Sequence, residues 1–116
     1  MVRKENNLDL EKKLKYYIDA LTSVIKVDKI ILFGSQAKGN PHEYSDIDIA
    51  VISPELDPNE PELKHLRYIK DKADLFDPDL QLVAFPTKKF ETETGVEERF
   101  IREIKKTGKV IYQKPS

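Results

Sequence analysis

The chain has 116 residues, 39% of them hydrophobic and 35% charged, no cysteine, and 20 Lys plus Arg against 21 Asp plus Glu for a net charge of -1. That length suits one domain with a core that needs no staple, and the missing cysteine excludes a disulfide scaffold, a Cys-ligated metal site and thiol catalysis. The charge balance, the lack of an apolar run of ~18 residues and the polar N-terminus lead us to expect a single cytoplasmic domain over residues 1–116, with no membrane association and no bulk nucleic-acid binding.

Leu10, Leu14, Tyr17, Ile18, Leu21 and Ile25 repeat at helical spacing with Lys12, Lys13 and Lys15 opposite, which predicts a helix over about 8–25. Lys29-Ile30-Ile31-Leu32-Phe33 is a short apolar run that stops at Gly34-Ser35 and reads as a buried strand. Gln36-Ala37-Lys38 suits one helical turn before the breaker Gly39-Asn40-Pro41. Residues 46–52 alternate, with Ile47, Ile49 and Val51 on one face and Asp46, Asp48 and Ala50 on the other.

A second helix is expected from about Asn59-Glu60-Pro61, with Leu63, Leu66, Ile69, Ala73 and Phe76 inward and His65 in its polar part, solvated. Residues 80–85 read as a strand ended by Pro86. A last helix is expected over about 95–106, with Val96, Phe100, Ile101 and Ile104 inward and Gly108 as its stop. Val110-Ile111-Tyr112 adds a short edge strand. The order α-β-(α)-β-α-β-α-β predicts an α+β fold, a mixed sheet with helices packed on it.

Asp46 and Asp48 lie two apart on one strand face, so their Cβ atoms are about 6.6 Å apart. Hard oxygen donors at that spacing suit Mg²⁺ or Mn²⁺ rather than zinc. Alone, the pair also fits a solvent-facing strand. Gly34 allows a sharp turn and close backbone approach, and Ser35 would open the next helical turn, where free N–H groups favour an anion. Alone, that serine is an ordinary helix cap. Together, an anion-binding turn and a metal-binding pair make a phosphoryl-transfer site.

Gly34-Ser35, ten residues, then Asp46-Ile47-Asp48 resembles the G-S-x10-D-x-D signature of the nucleotidyltransferase superfamily. FGSQAKGNPHEYSDIDIAV is similar to its minimal nucleotidyltransferases. The resemblance implies a polymerase beta-like fold. It also implies Mg²⁺-dependent transfer of a nucleoside monophosphate, AMP from ATP, with Gly34 and Ser35 at the triphosphate and Asp46 and Asp48 at the metal. It adds a third carboxylate on a later strand; Asp79 is the leading candidate for catalysis and metal binding, Asp77 the second, and neither is the remaining alternative. Lys38 would steady a phosphate, or be an exposed loop lysine. His42 and Tyr44 lie in the loop before the metal strand.

Within that family the closest role is an antitoxin that adenylylates a HEPN-type toxin in a separate chain, an arrangement that implies a hetero-complex or homodimer. The alternative is a catalytically weak module that binds nucleotide or partner and neutralises by docking.

Overall fold

The computed structural model describes residues 2–34, 46–75 and 77–115, excepting the side chains of 2–9. Its elements are α1 (Val2–Thr22), β1 (Lys29–Phe33), β2 (Ile47–Ser53), α2 (Glu62–Lys72), β3 (Leu80–Pro86), α3 (Thr87–Thr92), α4 (Glu98–Thr107) and β4 (Lys109–Gln113). The strands form one mixed sheet in the order β3-β2-β1-β4. β1 pairs antiparallel with both β2 and β4, whereas β2 and β3 run parallel. A parallel neighbour requires a crossover, and α2 supplies it. The expected α+β architecture is present.

Alternation along β2 divides the core. Ile47, Ile49 and Val51 join Tyr17, Leu21 and Ile25 of the α1 region and Ile69 and Ala73 of the α2 region. Ala50 and Ile52 face the other way, onto Ile31, Phe85, Phe90 of α3, and Ile101 and Ile104 of α4. Helices therefore cover both faces, and each fully buried Ile or Leu contributes about 1.5–3 kcal/mol. Asp48 precedes Ala50 on the α3–α4 face. It stands where that face opens at the start of β2.

Several sequence expectations need correction. The first helix begins at Val2 and ends at Thr22 rather than Ile25, although Ile25 is still buried. The second starts at Glu62 with Pro61 as its N-cap, and Asn59 plays no capping part. Its buried arc centres on His65 and Ile69, which leaves Leu63 on the flank, 69% exposed. His65 itself is only 4% exposed rather than solvated. The last helix starts at Glu98, so Val96 lies in the turn before it, 97% exposed. A short helix, α3, had no sequence expectation; it follows Pro86 and buries Phe90. Gly108 does cap α4, though not in the left-handed conformation. A Cβ there would meet the Ile104 carbonyl and the Ile31 side chain, so close packing is what requires glycine. Gln36-Ala37-Lys38 and Phe76 lie outside the described residues.

Candidate active site

Gly34 closes β1 with φ +74°, a left-handed conformation in which glycine carries no steric cost. A Cβ at this position would overlap the Asp48 carboxylate. The turn after β1 therefore lies directly against Asp48. Phe33, one residue earlier, is the register partner of Asp48 in β2. The sequence motif thus corresponds to a real juxtaposition of glycine backbone and carboxylate. Ser35, Lys38, His42 and Tyr44 lie outside the described residues.

Asp46 is exposed just ahead of β2, and Asp48 is half-buried within it. Burial, and secondarily the charge of Asp46, raise the Asp48 carboxyl above its ordinary pKa of 3.8. Among the described residues no Lys, Arg or His forms an ion pair with either carboxylate. Two nearby carboxylates without a cationic partner among the described residues have the hard-oxygen chemistry that suits a divalent cation.

Asp79 is placed differently. It sits in the turn before β3, and its carbonyl accepts the Ile47 N–H at 2.8 Å, which pins the turn to the start of β2. Its carboxylate, however, is held by Lys13 of α1 at 3.3 Å. The same lysine reaches Asp77 at 3.5 Å. Asp77 also accepts a hydrogen bond from the buried Tyr17 hydroxyl and, through its other oxygen, one from the Asp79 N–H at 2.9 Å. These contacts hold the Asp77 carboxyl below its ordinary pKa despite the opposing effect of burial. Burial and the Asp77 bond push the Tyr17 hydroxyl well up. This cluster fastens α1 to the β3 turn, on the face opposite Asp48. Among the described residues no three Asp, Glu, His or Cys side chains come together to hold a metal ion.

The residue beside Asp48 on β3 is Gln81, its parallel register partner on the same face. Sequence reasoning missed it, because register between β2 and β3 is a non-local property. It also missed Lys13, which helical periodicity assigns to solvent. A hint existed: Leu80, Leu82 and Ala84 occupy one face, so Gln81 interrupts an otherwise apolar opposite row of Val83 and Phe85.

Aromatic rings continue along this face of the sheet from Phe33, the register partner of Asp48. Phe100 of α4 meets Phe33 edge-on at a centroid distance of 5.6 Å and Phe85 at 6.0 Å; Phe85 in turn lies 5.7 Å from Phe90. Edge-to-face pairs at these separations are each worth about 0.5–1.5 kcal/mol beyond area burial.

A family model described as Polymerase beta, Nucleotidyltransferase matches residues 12–116. A protein of Methanocaldococcus jannaschii named "Putative protein adenylyltransferase" is 48% identical over 44 residues, which is 36% of this chain and 44% of that protein. The chain thus matches less than half the length of that relative. A crystal structure described as a putative nucleotidyltransferase from Sulfolobus solfataricus superposes with a TM-score of 0.60 at 13% identity, over 85% of this chain and 75% of the other. That likeness concerns the fold alone. Another, described as "the toxin-antitoxin with AMP-PNP", gives a TM-score of 0.53 at 25% identity, over 84% of this chain and 71% of the other. Among the described residues no helix is long and apolar enough to cross a membrane.

Proposed function

The chain belongs to the Polymerase beta, Nucleotidyltransferase family, and on that premise we propose that it transfers AMP from ATP to a hydroxyl group of a partner protein, in the presence of Mg²⁺. The partner we propose is a HEPN-type toxin, with this chain as its antitoxin and residues 1–116 acting as one nucleotidyltransferase domain. Two likenesses support the acceptor class: the relative named as a protein adenylyltransferase, and the toxin–antitoxin structure with AMP-PNP. The observation that carries the reading is the contact of the Gly34 turn with Asp48, whose carboxyl also feels the charge of Asp46.

Asp46 and Asp48 would hold the divalent ion, which when bound neutralises the charge of the phosphates. Gly34 keeps the backbone low enough for the triphosphate to approach. Ser35 and Lys38 are proposed to bind that triphosphate, through a hydroxyl and a point charge respectively. In the reaction the acceptor oxygen bonds to the α-phosphorus, the bond to the bridging oxygen breaks and pyrophosphate leaves. The acceptor's proton passes to the third carboxylate, for which Asp79 is proposed. Asp79 serves as a third carboxylate only on releasing Lys13 and turning toward the face that carries Asp48.

The test is calorimetric titration of ATP with and without MgCl₂ into wild type and Asp46→Asn, followed by incubation with the co-purified toxin and measurement of its intact mass. Binding that needs both the metal and Asp46, with one AMP added to the toxin, is the expected result. Binding indifferent to both refutes the metal assignment. Metal-dependent binding with no AMP on the toxin leaves a module that neutralises by docking.

A further inference from the structure

Asp48, Ala50 and Ile52 form one row on the α3–α4 face of β2. Ala50 is fully buried. Phe33 is the β1 partner of Asp48, Phe85 is the β3 partner of Ile52, and Phe100 contacts both. Phe100 therefore packs on the ring of the residue paired with Asp48 and reaches from there to Phe85. Yet Phe100 keeps 39% of its surface exposed, while Ile101 and Ile104 of the same helix are buried. The site therefore has a charged end, at Asp46 and Asp48, and an exposed aromatic flank.

A nucleoside triphosphate has the same polarity. Its phosphates belong at the carboxylates and their cation, and its base lies beyond the ribose, a flat π-surface that stacks on aromatic side chains. We infer that Phe100 is the platform on which the base of the bound nucleotide stacks, so that α4 forms the base-side wall of the site. The inference rests on the nucleotidyltransferase reading above and adds a specificity to it. Stacking reads ring area rather than hydrogen-bond pattern. The wall therefore favours purines over pyrimidines and discriminates poorly between adenine and guanine.

The test is titration of ATP, GTP, CTP and inorganic tripolyphosphate, each with MgCl₂, into wild type, Phe100→Leu and Phe100→Tyr, with the melting temperature of each protein. Leucine preserves the apolar packing on Phe33 and Phe85 but has no π-face. Phe100→Leu is expected to weaken ATP and GTP about tenfold, from the known strength of base–aromatic stacking, to narrow the preference over CTP, and to leave tripolyphosphate unchanged. Phe100→Tyr is expected to bind ATP as wild type does. Unchanged ATP affinity in Phe100→Leu overturns the inference, and so does a parallel loss of ATP and tripolyphosphate, which marks a structural role. Wild type that binds tripolyphosphate as tightly as ATP overturns the base platform alone. Wild type that binds neither overturns the nucleotidyltransferase reading and this inference with it. A second readout needs no variant: the adenine H2 and H8 proton resonances of ATP are expected to shift upfield on binding to wild type, and their failure to do so also overturns it.

Discussion

Replacing Asp48 by Asn is expected to stabilise the fold while removing the proposed metal site. Asp48 is half-buried, and its carboxyl is raised first by burial and then by Asp46, so its ionised form is a burden on the native state at neutral pH. With Cβ atoms about 6.6 Å apart, the two charges repel by about 2.5 kcal/mol at an effective dielectric constant of 20 and about 0.6 kcal/mol in bulk water. Asp46 is exposed, so solvent screening places the repulsion at about 1 kcal/mol. That corresponds to a gain in melting temperature of roughly 3–6 °C for a domain of this size.

The sign with pH follows from proton binding. Between the ordinary carboxyl value of 3.8 and the raised one, the native state binds more protons than the unfolded chain, so wild-type stability falls as pH rises through that window. The advantage of Asp48→Asn is therefore full at neutral pH and shrinks as pH falls toward 3.8. Thermal unfolding followed by circular dichroism, at pH 7 and in steps downward, reads both effects. Saturating MgCl₂ should stabilise the wild type by about 2.7 kcal/mol at one hundred times its Kd, seen as a higher melting temperature, and leave the variant unmoved. A variant less stable than wild type at neutral pH would refute the reasoning, because it would show that the ionised carboxylate makes stabilising contacts. Equal stabilisation of both proteins by Mg²⁺ would refute the placement of the metal.

Two further predictions concern the backbone and the buried histidine. Gly34→Ala places a Cβ into the Asp48 carboxylate at a positive φ; a loss of at least about 1–3 kcal/mol, together with loss of Mg²⁺-dependent ATP binding, is expected from chemical unfolding and calorimetry, and wild-type values in both would exclude the close approach. His65 is held below its ordinary pKa of 6.5, chiefly by burial and then by Lys89 of α3, against the opposing pull of Glu62, Asp57 and Glu60, and Glu97 also faces this cluster. The unfolded chain therefore takes up a proton there before the native state does, so stability attributable to His65 is lost as pH drops below about 6.5. Melting curves of wild type and His65→Gln should converge or cross between pH 7 and pH 5; parallel curves would count against a buried neutral imidazole.

The core faces and the heart of the site were legible from local pattern. A period of two fixes Ile47, Ile49 and Val51 against Asp46, Asp48 and Ala50, and a period of 3.6 finds Tyr17 and Leu21 without knowledge of what they pack against. Gly34 could be singled out because a glycine that ends an apolar strand has few reasons other than a turn or a close approach. What failed was whatever depends on where a helix begins. Val96 reads as inward only if its helix starts about three residues early, and Leu63 reads as inward although the buried arc of α2 runs through His65 and Ile69 instead. His65 reads as solvated because composition around it is polar, yet helical phase carries it to the buried side of α2 with Ile69.

The sequence alone settled the family motif, the alternation that puts two carboxylates on one face, and the mixed order of helices and strands, because each is written in residues within a few positions of one another. Only the tertiary structure could decide that Gln81 is the neighbour of Asp48, that Lys13 claims Asp79, and that Phe100 packs against both Phe33 and Phe85. Each of these depends on strand register or on the docking of a helix whose residues lie some 30 to 70 positions away in the chain. Local propensity carries no information about such distances: register is set by which alignment buries the apolar faces of all the layers together.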